Sequence, residues 1–155
     1  MGQLSIGSGN SLTQWSTGNA EFGPHRFPSD DMVMVGVKCR IENFKQHQTA
    51  FLDTGAELPM IGGEIARRLE NWPIARENVT MKTREGPMSG PVIRMTITLI
   101  ADEGEDLPLE SSVLLAQEWS GPAIILGYFG FLDRLRFALD PGLRPTDARI
   151  FYFGK

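Results

Sequence analysis

The sequence predicts a mostly β, single-domain protein, and three observations carry that expectation. The 155 residues include 17 glycines and 10 prolines, about one residue in six where globular chains have roughly one in eight. Such a surplus favours short strands and turns over a helical bundle. Apolar residues alternate with polar ones through several segments, and only two short stretches carry helical spacing. The length suits one core, because two would each fall near the lower size limit.

Residues 1–31 hold five glycines and five serines and read as an N-terminal arm, flexible or laid down as an edge strand. The folded domain is expected over 32–155. Val33, Val35, Val37, Cys39 and Ile41 alternate with Gly36, Lys38 and Arg40, which predicts a half-buried strand with Cys39 as a core residue. Glu42-Asn43-Phe44-Lys45 is a turn, and Gln46 to Leu52 runs extended, completing a hairpin that delivers the chain to Asp53. Ile65, Ala66, Leu69 and Trp72 recur at helical spacing after Gly62-Gly63, and Pro73 stops the run; a helix of two to three turns is expected.

Two extended stretches from Val79 to Ile100 flank a Gly- and Pro-rich tip, Arg84 to Pro91, so a second hairpin follows. Asp102-Glu103-Gly104-Glu105-Asp106 reads as a solvated acidic turn, since the spacing lacks the twelve-residue calcium loop with its terminal Glu. Ser111 to Ala116 is a strand. Ala123 to Gly127 is a continuous apolar run suited to a strand buried on both faces. Phe129 to Arg136 suggests a second short helix, and Phe137 to Asp140 with Arg149 to Phe153 closes the chain as a strand pair.

Composition narrows the function. A net charge of -4 and a pI near 5.2 leave no basic stripe for a phosphate backbone, so nucleic acid is not an expected partner. One cysteine cannot form an internal disulfide, and with His25 and His47 it falls short of a zinc set, so no metal and no cofactor are expected. No apolar run approaches a membrane span, and no signal segment opens the chain. A cytoplasmic location is expected.

The segment that carries chemistry is Ala50-Phe51-Leu52-Asp53-Thr54-Gly55-Ala56. A carboxylate ending an apolar strand is costly to bury alone, so its place beside a hydroxyl and a glycine asks for a reason. A second apolar strand, Ile124-Ile125-Leu126-Gly127, also precedes a helical stretch. Over about residues 32–153 the order of hairpin, Asp-Thr-Gly-Ala, helix, Gly-rich hairpin, apolar-apolar-Gly, helix and terminal strand resembles the retropepsin-like aspartic proteases. The likeness is to single-domain members of cellular genomes, which have a helix after the catalytic loop.

That resemblance implies a retropepsin-like closed β-barrel with a flap hairpin. It implies that Asp53 is the catalytic acid/base and that Thr54 hydrogen-bonds the backbone near Leu52 of the partner subunit. Gly55 would offer its carbonyl to an extended peptide, Ala56 would line the adjacent pocket, and Gly127 would pack against the catalytic loop. Arg84, Glu85, Gly86 and Met88 would belong to the flap, with Met88 touching substrate. Tyr128 and Glu57 depart from the arginine and aspartate that form an ion pair in retroviral members; Arg134 and Arg136 are the cations that could replace it.

Peptide hydrolysis by carboxylates needs one ionised group to take a proton from water and one protonated group to polarise the carbonyl. The chain has a single Asp-Thr-Gly, so the expected enzyme is a homodimer acting on protein or peptide substrates. The alternative is a retropepsin-like module kept for dimerisation or peptide binding, with cleavage weak or lost. The aromatic run Phe151-Tyr152-Phe153 is expected to lie on a sheet edge covered by the second chain. Phosphoryl-aspartate chemistry lacks its second carboxylate at Gly55, and neither a Gly-x-Ser-x-Gly elbow nor a phosphate-binding glycine loop is present.

Overall fold

The alternating segments fold as strands, and the computed structural model describes residues 15–26, 31–83 and 86–155. In chain order they are β1 (Ser16–Arg26), β2 (Asp31–Ile41), β3 (Gln48–Leu52), β4 (Met60–Gly62), helix α1 (Gly63–Arg68), β5 (Ile74–Thr83), β6 (Gly86–Leu99), β7 (Leu107–Ala116) and β8 (Ile124–Leu126). A single 3-10 turn (Leu132–Arg134), β9 (Arg136–Asp140) and β10 (Ile150–Gly154) follow. Strand pairing runs β6, β7, β4, β8, β3, β2 and back to β6, so six strands form a ring. The pairings around β4 and β8 span only two or three residues each, which makes it a ring of pairings rather than an even barrel wall.

The ring separates two apolar clusters, and the two-residue period of a strand explains how it fills both. Ile124 and Leu126 of β8 enter the larger cluster and Ile125 the smaller one; Val113 and Leu115 of β7 divide from Leu114 and Ala116 in the same way. These strands are buried on both faces, which is why their sequences read as unbroken apolar runs. In β2, Val37, Cys39 and Ile41 face the larger cluster as the alternation predicts, whereas Met34 on the opposite phase enters the smaller one. Burial pushes the Cys39 thiol up to about 12, so it stays protonated and packs as a small apolar group.

Both helical stretches are shorter than expected. α1 spans six residues, and beyond it Glu70 and Trp72 N–H bond three residues back in tight turns. The Trp72 indole donates to the Arg94 carbonyl on β6 at 3.0 Å, a tertiary contact that draws the end of the segment towards the sheet. Downstream, Arg136 belongs to β9, because pairing with β10 outweighs a weak helical pattern, and Phe137 is strand as expected.

β1 links two sheets: Ser16 to Asn19 pairs with β10, and Ala20 to Arg26 pairs with β2. The acidic turn fastens it. Asp102 accepts the Asn19 N–H at 2.7 Å and Lys38 Nζ at 3.3 Å, while Ser16 Oγ exchanges hydrogen bonds with Glu105. Gly104, at φ 95°, lets the backbone lie against Ser16, where a Cβ would stand 2.6 Å from its hydroxyl. The turn expected to be merely solvated is thus a clamp.

The terminal strand also departs from expectation. β10 lies between β1 and β9 of its own chain, with Phe151 and Phe153 each 1% exposed and their rings stacked at 5.5 Å. Its aromatics are core residues, so covering them requires no second subunit.

Phe153→Ala should therefore cost about 3–5 kcal/mol, and the loss in a denaturant titration should be the same at low and high protein concentration. The Asn19 N–H holds the Asp102 carboxyl below its ordinary value of 3.8; burial opposes this and Lys38 adds to the lowering. Its stabilisation is present above the ordinary value and is lost as pH falls through the lowered one. Asp102→Asn should lower the melting temperature near neutral pH, with the gap to the parent shrinking towards about pH 2.

Candidate active site

β3 and β8 run parallel, with Leu52 beside Leu126, so both chains leave the ring together. Asp53 is the first residue past β3, and its N–H donates to the Leu126 carbonyl at 3.1 Å. The chain then turns back on itself: the Ala56 N–H donates to the Asp53 carbonyl at 3.2 Å, and the Gly55 N–H to Asp53 Oδ1 at 2.9 Å. A hydrogen bond from a backbone donor fixes the carboxylate in one rotamer and leaves its second oxygen for another partner. Asp53 is half-buried, Thr54 and Gly55 are exposed, and Ala56 is buried in the smaller cluster.

The return arm of this loop crosses the exit of β8. A Cβ on Gly127 would stand 2.3 Å from the Leu58 carbonyl carbon and oxygen and 2.8 Å from Pro59 N, so the crossing requires a glycine. Two backbone bonds lock it, Tyr128 N–H to the Ala56 carbonyl and Phe129 N–H to the Glu57 carbonyl, both at 2.8 Å. These stand where the resemblance places an ion pair. Glu57 is exposed and meets no cation among the described residues; Arg134 instead donates to the Glu110 and Gly130 carbonyls, and Arg136 lies on β9.

The β5–β6 hairpin differs from the expected flap in how far its strands run. Of the four flap residues named from the sequence, Arg84 and Glu85 lie outside the described residues. Gly86 opens β6 at φ 103°, its carbonyl accepting the Thr83 hydroxyl at 2.6 Å. Residues 87–91, read from the sequence as part of the tip, are strand: Pro87 faces Lys82, Met88 faces Met81, and Gly90 faces Val79. Pro91 is tolerated because it lies opposite a register shift between Arg76 and Val79, where no ladder donor is needed. Met88 is half-buried against the same cluster as Ala56.

The structure thus gathers Asp53, Gly55, Ala56 and Gly127 at one crossing, with Thr54 exposed beside them. Sequence reasoning did not single out Met81, whose sulfur meets the Leu58 N–H at 3.5 Å, or Trp119, buried in the smaller cluster. Gly62 and Gly121 leave the room that the Trp119 ring fills. Their signal in the sequence was glycine alone, which reads equally well as a turn. No group of three or more His, Cys, Asp or Glu that could hold a metal occurs among the described residues. No helix among them is long and apolar enough to cross a membrane.

Gly127→Ala should force the Leu58–Pro59 backbone aside. The expected loss is about 1–3 kcal/mol or more, read as a lower denaturation midpoint with an unchanged slope.

No family model and no curated protein matches the sequence. Among solved structures the chain is similar to the retroviral protease-like domain of Ddi1 from Leishmania major, at 19% identity and a TM-score of 0.46, over 76% of this chain and 93% of that one. It is also similar to a retropepsin-like aspartic protease from Rickettsia conorii, at 18% identity and a TM-score of 0.42, over 90% of this chain and 94% of that one.

Proposed function

We propose that the chain is an aspartic-type endopeptidase whose two catalytic carboxylates come from two copies of Asp53. The observation that carries this reading is the Asp53 loop itself: a half-exposed carboxylate, oriented by the Gly55 N–H, at the end of a parallel strand pair. One backbone hydrogen bond orients the carboxylate and leaves its other lone pairs open, an arrangement that suits proton transfer. One such group cannot act as base and acid at once, whereas two sharing a proton can. The ionised carboxylate takes a proton from water as its oxygen attacks the peptide carbonyl, and the protonated one donates to the carbonyl oxygen. Collapse of the resulting gem-diol breaks the C–N bond: the proton taken from water passes to the departing amine, and one diol proton returns to the second carboxylate, which restores the singly protonated pair.

Two further observations support a symmetric pair. Thr54 is exposed next to Asp53, so its hydroxyl would be open to a bond with a second copy. Tyr128 and Phe129, 44% and 57% exposed, pack edge to face with centroids 5.3 Å apart and are tied by backbone bonds to Ala56 and Glu57. They give the second copy an apolar surface continuous with the loop. An extended peptide would lie between the two Asp53 loops and the β5–β6 hairpins, with Met88 against it.

Asp53→Asn should abolish cleavage of a peptide library while leaving melting temperature and sedimentation unchanged. Mixing and re-equilibrating equal amounts of parent and variant should leave about one quarter of the dimers active, because each needs two aspartates. A loss of only half would place a complete site in one chain. A dimer that binds peptides and cleaves none would favour the binding module.

A further inference from the structure

The loop from Asp53 to Pro59 is fastened almost wholly by backbone. Asp53 N–H meets the Leu126 carbonyl, the Ala56 and Glu57 carbonyls meet the N–H groups of Tyr128 and Phe129, and the Pro59 carbonyl accepts the Leu114 N–H at 2.9 Å. Apart from the Gly55 N–H bond to Asp53 Oδ1 inside the loop, Leu58 is the exception. Its N–H donates at 3.5 Å to Met81 Sδ, a side chain on β5. A thioether is a weak acceptor, but a part-buried backbone N–H gains from a partner, and a longer contact is normal for sulfur.

Met81 is 2% exposed and pairs across the hairpin with Met88. Both side chains pack on the cluster that holds Ala56 and Leu58. Gly90 presses this hairpin onto β7 so closely that a Cβ there would stand 2.0 Å from the Leu115 carbonyl oxygen. The hairpin that carries Met81 is therefore anchored on β7 as well as on the cluster it shares with the loop. Leu58 is also the residue against which Gly127 packs, so it is gripped by the exit of β8 on one side and by the hairpin on the other.

We infer that Met81 is a positioning residue for Asp53: through the Leu58 N–H it ties the geometry of the catalytic loop to that of the hairpin expected to cover a bound peptide. The inference rests on the aspartic peptidase reading for its catalytic part only. A peptide that settles the hairpin against Met88 also settles Met81, and the Leu58 peptide unit then holds the return arm of the Asp53 loop in register. The link acts on turnover more than on affinity, because it touches the carboxylate's support and not the peptide.

Met81→Leu keeps the apolar volume and removes the acceptor. Met34→Leu, in the same buried cluster but without a bond to the loop, is the packing control. In the full chain, hydrogen exchange at the Leu58 amide should quicken about tenfold in Met81→Leu and stay at the parent rate in Met34→Leu. On a peptide substrate, kcat should fall severalfold in Met81→Leu with KM within about twofold, and neither should change in Met34→Leu. Unchanged exchange at Leu58, or equal quickening in both variants, would overturn the link; quickened exchange with unchanged kcat would overturn the positioning role. If the parent cleaves no peptide, the peptidase reading and with it the catalytic role fail, while the exchange rates still decide whether Met81 holds Leu58.

Discussion

The crossing of two chain segments at Gly127 is the constraint on which the site depends. The Asp53 loop can return past the exit of β8 only because position 127 carries no Cβ, and the backbone bonds at Tyr128 and Phe129 form only once that approach is made. Leu52, Asp53, Gly127 and Tyr128 are thereby set relative to one another chiefly by main chain, to which the Met81 sulfur adds a side-chain tie at Leu58. Side-chain entropy enters little, so the carboxylate is placed without the cost of ordering long flexible groups. Where the resemblance implies a charged brace, this chain uses peptide groups, whose geometry is insensitive to salt and pH.

The same economy governs the core. Strands β4, β7 and β8 are buried on both faces, so each sends alternate residues to different clusters. The larger cluster unites the ring with β10; the smaller one lies under the Asp53 loop and the hairpin. Ala56, Met88 and Trp119 share that smaller cluster, so the loop, the hairpin and the segment after β7 rest on one foundation.

Legibility in the sequence followed the range of the interactions. The Asp53 loop, β2, β3 and β8 were readable because their determinants are local: residue type, two-residue alternation, an apolar run ending in glycine. Met81 was not readable, since nothing near it in sequence announces that its sulfur will meet Leu58. Residues 87–91 carry a local turn signal in Pro91, while the register shift that accommodates it lies on the opposite strand. The helical spacing continues to Trp72, but the segment past Arg68 forms turns and the indole bonds the Arg94 carbonyl on β6. The terminal aromatics suggested a partner because aromatic surface must be covered, and the sequence does not say whether β1 and β9 or a second chain will cover it.

The pairing of β1 with β10 has a consequence for how the protein is made. Ser16 lies beside Phe153, so β1 completes its ladder only with residues far downstream in the sequence. At a synthesis rate of roughly 5–20 residues per second, Ser16 has left the peptidyl transferase centre on the order of ten seconds before its partner is joined. During that interval the β1 half that joins β10 exposes unpaired peptide groups, and the larger cluster lacks Phe151 and Phe153. Contacts between distant ends are slow to form, so closure of this sheet is a natural candidate for the rate-limiting step of folding. The nascent chain's hazard then lies at β1, which has every reason to be guarded until β10 arrives.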